Sequence, residues 1–390
     1  MNKTKSPDPG RLLIWGILLV SFNLRPSITA VGPLIPFIRE DLALTHGWAG
    51  FLTTLPLLTF ATFSLFSAKI GNFFGKAKAI FLGLLVLGIG SVVRISGGPF
   101  LLYFGTALTG IGIVICNVLI IPLLKTKMQT KTGWVTGMFS TGMTFMAAIA
   151  TAVSVPLAKE LGWGWRGSLL FWSSLLSVTL LVWWPQLRLE KSSHQRNPKK
   201  PKGMWKSLLA WQVSLYMGIQ SLLFFTMITW LPDMMIEKGL DPVKAGLTAS
   251  MMQVIGLVGT LFSPVVAMRY QQQSFLNLII GMAYLMGFSA LFSTLILVNI
   301  LGIALIGLCM GASISLAYTI IALRTKDENY TAGLSGMAQS TGYFLAALGP
   351  LLFGLALDFW QNWDLLIYLM LGATLLFMLF GFYAGREKTI

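Results

Sequence analysis

One residue of the 390-residue chain stands out for the chemistry its position allows. Arg25 sits mid-way along the first long apolar segment, in Asn23-Leu24-Arg25-Pro26. A guanidinium at the centre of a bilayer costs roughly 2.5–3.5 kcal/mol on insertion scales, so it needs a counter-charge or water around it. Counter-charges are scarce: there are 13 Asp+Glu, and all of them, Asp233 and Asp358 included, read as lying in loops or at the ends of apolar segments. Arg25 is therefore expected to face a wet cavity and to meet an anionic or strongly dipolar solute. Its planar fork can grip such a group through two parallel hydrogen bonds. Ser21, Arg25, Thr29 and Gly32 recur at helical spacing and form one polar, small-residue stripe. Pro26 removes a backbone donor and is expected to break or kink the helix beside the arginine.

Similar stripes occur elsewhere: Thr106, Gly110 and Asn117; Ser140, Thr144 and Thr151; Gln212, Tyr216 and Gln220; Ser335, Gln339 and Tyr343. Any one of them could serve hydrogen bonding between helices. Their equivalent places in the two parts of the chain favour a shared polar cavity, which Trp172, Trp230 and Tyr318 could also reach. Metal or redox chemistry finds no support, since Cys116 and Cys309 fall in apolar segments and His46 and His194 in loops without a ligand cluster. No nucleotide-binding motif occurs, and no cofactor is expected.

The elements that must position these residues are membrane helices. Hydrophobic residues make up 55% of the chain and charged ones 11%, against about 25% charged in soluble proteins. Between Ser274 and Arg324 there is no charged residue or histidine, a stretch long enough for two bilayer crossings at about 20 residues each. The strictly alternating strands of a β-barrel are missing. The fold class is thus an all-α polytopic membrane protein with twelve spans, near 12–38, 47–68, 79–97, 99–124, 133–158, 167–187, 207–231, 243–267, 275–296, 298–322, 331–357 and 363–384. The first apolar segment is too long for a signal peptide and reads as a retained span. Tryptophans such as Trp15, Trp48, Trp163 and Trp183 fall near span ends, as interfacial belts require.

The net charge of +15 reports orientation rather than nucleic-acid binding. With the N-terminus inside, 21 of the 28 Lys+Arg fall on the cytoplasmic side and six outside, Arg39 and Arg94 among the six, with Arg25 between. Both termini are therefore expected in the cytoplasm. The basic, proline-bearing stretch 187–206 reads as a linker between six-helix halves at 1–186 and 207–390. An echo supports duplication: Leu124-Lys125-Thr126-Lys127 precedes Ser140-Thr141-Gly142 as Leu323-Arg324-Thr325-Lys326 precedes Ser340-Thr341-Gly342. Such paired halves hold their solute at the interface near the midplane. With no embedded acid or histidine in view, transport without a dedicated carboxylate relay is expected.

These residues resemble the major facilitator superfamily. The stretch Ala68-Lys69-Ile70-Gly71-Asn72-Phe73-Phe74-Gly75-Lys76 is similar to its gating-loop motif G-x-x-x-D-R-x-G-R/K, with Asn72 where Asp is usual and Phe73 where a basic residue is usual. Within the superfamily the chain resembles the cyanate and 2-nitroimidazole porters, through Asn23-Leu24-Arg25-Pro26, Asn117 with Pro122, Gly218-Ile219-Gln220-Ser221 with Trp230-Leu231-Pro232, and Leu334-Ser335-Gly336-Met337-Ala338-Gln339-Ser340 with Gly342-Tyr343 and Gly349-Pro350. The resemblance implies two pseudo-symmetric six-helix bundles and a monomeric carrier of the inner membrane that moves small anionic or nitro-bearing solutes by alternating access. Its solute-binding residues would be Arg25, Asn23, Thr29, Asn117, Gln220, Gln339 and Tyr343, with Asn72, Gly75 and Lys76 in the gating loop. A drug efflux pump in which Arg25 is structural is the alternative. A membrane enzyme would want clustered His, Asp or Glu, which are absent.

Overall fold

The computed structural model describes residues 9–127, 132–188, 203–325 and 328–389. Most of the expected linker 187–206 lies outside them, as does His194. The described chain is helical almost throughout. Its order is α1 (Pro9–Leu24), α2 (Pro26–Thr29), α3 (Val31–Leu42), α4 (His46–Phe74), α5 (Lys76–Val93), α6 (Pro99–Lys127), α7 (Thr132–Lys159), α8 (Gly164–Trp183), α9 (Leu208–Glu237), α10 (Pro242–Ala267), α11 (Ser274–Ala290), α12 (Ile296–Leu323), α13 (Glu328–Trp360) and α14 (Asp364–Ala384). Among the described residues ten helices are long and apolar enough to cross a membrane, and α11 is a shorter apolar one.

The first span is built from three pieces. Pro26 cannot donate to the carbonyl of Phe22, and the helix stops at Arg25. The Arg25 carbonyl then accepts from Ile28 and Thr29 at 3.0 and 2.9 Å, which starts α2 afresh. A second interruption follows at Ala30, before α3. The stretch read from sequence as a gating loop is helical up to Phe74, so that only Gly75 interrupts the chain. Gly75 has φ 89 and ψ 147, a conformation that only glycine adopts cheaply, and it turns α4 into α5.

Helices α1–α8 meet α9–α14 along α4·α13, α7·α10 and α3·α9. This seam is sealed at one end. There Thr54 Oγ1 donates to the Ala347 carbonyl at 2.8 Å, Ser250 Oγ to Ala148 at 2.9 Å and Gln253 Nε2 to Thr151 Oγ1 at 2.7 Å. His46 and Gly47 donate backbone N–H groups to the Asp358 carboxylate at 2.8 and 2.7 Å. Toward the other end Ser340 Oγ donates across the seam to the Ala61 carbonyl at 3.3 Å. Close helix contact is secured by small residues: a Cβ on Gly311 of α12 would run into the Gly256 carbonyl of α10.

Three readings of the sequence need correction. Asp233 lies inside α9 and is 6% exposed, because the helix continues through Pro232 to Glu237 instead of ending before it. Arg94, counted from sequence among the charges on the outer side, follows α5 directly and folds back into the protein, 1% exposed. Trp183 is fully buried, with Nε1 donating to the Ala77 carbonyl at 3.0 Å, while Trp15, Trp48 and Trp163 are exposed as belt residues should be.

Candidate functional site

Arg25 stands at the break in the first span and is half-buried. Its guanidinium makes no hydrogen bond or ion pair among the described residues. It lines a cavity of about 350 Å³ between α7, α9, α10, α12 and α13. Gln220 and Gln253 supply amides to the wall, Tyr318 and Tyr343 phenols, and Ser140, Thr144 and Ser315 hydroxyls. Met143, Met252, Met310, Phe224 and Phe225 form its apolar part. A guanidinium beside flat and thioether surfaces can hold a planar polar head while the apolar wall covers the body.

The sequence-derived candidates divide. Gln220 and Tyr343 join Arg25 in the cavity wall. Gln220 is 2% exposed and its Nε2 donates to Ser221 Oγ at 2.6 Å, while Tyr343 packs against Phe60 with ring centroids 4.9 Å apart. Asn117 faces Arg25 and Tyr343 across a second, smaller void of about 20 Å³, room for one water molecule. Asn23 is turned to α8, donating to Thr179 Oγ1 at 2.7 Å. Thr29 is buried, with Oγ1 donating to the Arg25 and Ala147 carbonyls at 3.1 and 3.3 Å. Gln339 donates to Ser335 Oγ at 3.0 Å and is not in the wall. Of the aromatic candidates Tyr318 lines the cavity. Trp172 is buried and donates to Ser154 Oγ at 2.9 Å, and Trp230 to the Pro350 carbonyl at 3.0 Å. In the gating segment Asn72 is exposed, and Lys76 Nζ donates to the Pro122 carbonyl at 3.4 Å.

Two buried polar side chains near the first span and the cavity were not among the sequence candidates. Gln253 bridges α10 to α7 at the cavity roof, its Nε2 reaching Thr151 Oγ1 and, at 3.5 Å, the Ala147 carbonyl that also receives Thr29. Its polar character inside an apolar run, Met251-Met252-Gln253-Val254, was the available signal. The second is Arg94: Nη1 donates to the Ser27 carbonyl in α2 at 2.9 Å, while Nε and Nη2 are buried without a partner.

Beyond the roof, at the sealed end, charged groups pair both across the seam and within α1–α8. Arg39 Nη1 lies 3.7 Å from Asp233 Oδ2, and Arg39 Nη2 lies 3.4 Å from His46 Nδ1. His46 Nδ1 lies 3.0 Å from Asp358 Oδ1. Lys159 pairs with Asp241 at 2.9 Å, and Arg166 with Asp41 at 2.6 Å. Burial, reinforced by the Arg39 charge, lowers the His46 pKa from the ordinary 6.5 against the pull of Asp358. The hydrogen bonds from Trp165 and Arg166 hold the Asp41 carboxyl below its usual range.

The chain matches the Major Facilitator Superfamily over residues 17–347. It is 41% identical over 382 residues to the uncharacterized transporter YycB of Bacillus subtilis (strain 168), covering 97% of this chain and 94% of that one. The 2-nitroimidazole transporter of Escherichia coli (strain K12) is 35% identical over 392 residues, covering 97% and 96%. The cyanate transport protein CynX of the same strain is 25% identical over 336 residues, covering 86% and 87%. In fold the chain is similar to the solved D-xylose-proton symporter, with a TM-score of 0.75 at 14% identity over 97% of this chain and 98% of that one. Sequence and fold agree: this chain belongs to the major facilitator superfamily, as a membrane transporter and not an enzyme, and resembles its cyanate and 2-nitroimidazole porters.

Proposed function

We propose that the protein is a secondary transporter that carries a small planar anion or nitro compound across the inner membrane by alternating access, with Arg25 as the anchor. The observation that carries this reading is the Arg25 guanidinium, unpaired among the described residues, on the wall of a 350 Å³ cavity. A buried cation without a counter-ion is costly, and a solute that neutralises it recovers that cost on binding. Gln220, Tyr318 and Tyr343 orient the solute around the fork, and Asn117 reaches it through the adjoining water-sized void. Relatives are named for 2-nitroimidazole and cyanate, a planar nitro compound and a small linear anion, both of which offer oxygen acceptors to a guanidinium.

Twelve spans in two halves, 1–186 and 207–390 joined by the basic linker, with both termini in the cytoplasm, agree with the skewed Lys and Arg distribution. In that orientation the sealed end of the seam is the outer one, and the cavity opens inward. Transport then requires the halves to rock, parting Thr54 from Ala347 and Ser250 from Ala148 while closing the inner ends of α4, α7, α10 and α13. The chain works as a monomer, since the cavity is complete within one copy.

Thermal stabilisation of the purified protein by sodium cyanate, sodium benzoate and 2-nitroimidazole tests this, together with flux in proteoliposomes. A solute at 100 times its Kd adds about 2.7 kcal/mol of stability. Arg25→Lys is expected to lose both stabilisation and flux, because a lysine keeps the charge but not the fork. The methionine and phenylalanine wall favours a second reading, efflux of apolar drugs with Arg25 structural. Under that reading drug efflux persists in Arg25→Ala and anions stabilise nothing.

A further inference from the structure

Arg25 has a counterpart at the sealed end. Arg39 lies fourteen residues further along the same span, about four helical turns or 20 Å beyond it. Its contacts are all long: 3.7 Å to Asp233, 3.4 Å to His46 and 3.4 Å from Nε to the Leu44 carbonyl. The other guanidiniums near this end are committed elsewhere, Arg166 to Asp41 at 2.6 Å and Arg94 to the Ser27 carbonyl at 2.9 Å. Asp358 and Asp241 are likewise engaged, by two backbone N–H groups and by Lys159. Asp233 is buried and ill satisfied. It is 6% exposed, and its Oδ2 accepts no hydrogen bond among the described residues.

We infer that Arg39 is an outer waiting site for the solute's planar anionic or nitro head, masked in this state by the carboxylate of Asp233. The inference rests on the anionic solute proposed above. A carboxylate presents to a guanidinium the same two oxygens that such a solute would, so Asp233 acts as a built-in stand-in. Arg39 belongs to α3 and Asp233 to α9, on opposite sides of the seam. When the outer end opens the pair must separate, and Arg39 is left as an exposed cation at the mouth of the path to Arg25. An anion that takes Arg39 then competes with re-closure. By linkage, whatever binds only the open form draws the equilibrium toward it. The loose 3.7 Å contact suits a mask that must yield to a solute, where a bidentate pair would not.

Ser250 reports the opening, since it is 8% exposed and its Oγ bonds Ala148 across the seam. Ser250→Cys, in full-length protein in proteoliposomes, is labelled from outside with a membrane-impermeant cationic thiol reagent, with and without sodium benzoate or sodium cyanate. Cys116 and Cys309 are buried and set the background. The anion is expected to speed labelling. Asp233→Asn removes the mask and should lower the anion concentration needed about tenfold, as expected if only about a tenth of the sites are unmasked at rest. Arg39→Gln should label quickly yet ignore the anion, and Arg39→Lys should respond weakly. The response should survive in Arg25→Gln, because the outer site does not depend on the inner one.

If Asp233→Asn and Arg39→Gln behave alike, with labelling fast and anion-independent in both, the pair is a plain latch and the inference falls. If cyanate and benzoate fail to stabilise even the parent protein, the reading of the Arg25 cavity fails first and takes this one with it. Should Arg39→Gln not fold, Arg39→Lys against Asp233→Asn decides the same question.

Discussion

A buried arginine is informative according to which of its five donors are used. At Arg25 none is used among the described residues and the group faces a cavity, so its cost is recoverable by a ligand. At Arg94 one is used and two are buried without partners. A hydrogen bond from a charged donor contributes about 1.5–3 kcal/mol, and each buried unpaired donor costs about 1–3 kcal/mol. Two idle donors together cost about 2–6 kcal/mol against about 1.5–3 kcal/mol for the single bond, so Arg94→Met should leave thermal stability unchanged or raise it. A fall in the unfolding midpoint of many degrees would mean that the two idle donors have partners. Asn23, bonded to Thr179, serves as the reference for an ordinary structural group on the same span.

Helices set where such residues come to rest, and Gly75 shows how little separates two of them. Its φ of 89 with ψ 147 lies in a region that excludes a Cβ, so Gly75→Ala should cost about 1–3 kcal/mol in unfolding free energy. Asn72→Ala, at an exposed position three residues earlier, should cost nothing measurable. The helices themselves were legible in the sequence because apolar runs of span length have no other stable outcome in a bilayer. The break at Arg25 was legible too, since Pro26 sits in mid-run. The depth of Asp233 was not. Pro232 reads as a helix stop in water, yet α9 runs through it, because the lost hydrogen bond is tolerated where neighbouring helices shield the backbone. The direction of Thr29 depends on rotation about the axis after the break at Arg25, which spacing along one helix does not determine, and Asn23 and Gln339 are turned to local partners, Thr179 and Ser335. Gln220 and Tyr343 line the cavity and Asn117 the smaller void beside it, all three on helices that run past Arg25 without interruption.

At the scale of the whole molecule, the proposed alternating access makes the seam an equilibrium between two closures, and the sealed one, outer in the proposed orientation, contains a titratable link. The charged groups at that end of the elements meeting there are Arg39, Glu40 and Asp41 on α3, His46 on α4, Lys159 on α7, Arg166 on α8, Asp233 and Glu237 on α9, Lys244 on α10, Asp358 on α13 and Asp364 on α14. Of these, Arg39 and Asp358 touch the His46 ring. Closure buries the imidazole beside the Arg39 charge, which together lower its pKa from the ordinary 6.5. The closed form therefore binds protons less readily than the open form, where the ring is in water. The contribution of His46 to closure is then fully present above pH 6.5 and is lost as external pH falls through and below that value. Labelling of the Ser250→Cys reporter from outside should accordingly speed up as external pH is taken from about 8 to about 5.5, centred below the ordinary histidine value. His46→Gln keeps a polar partner for Asp358 but cannot take a proton in this range, so its labelling rate should be flat over the same interval. An unchanged slope in His46→Gln would show that the titratable link is not this imidazole.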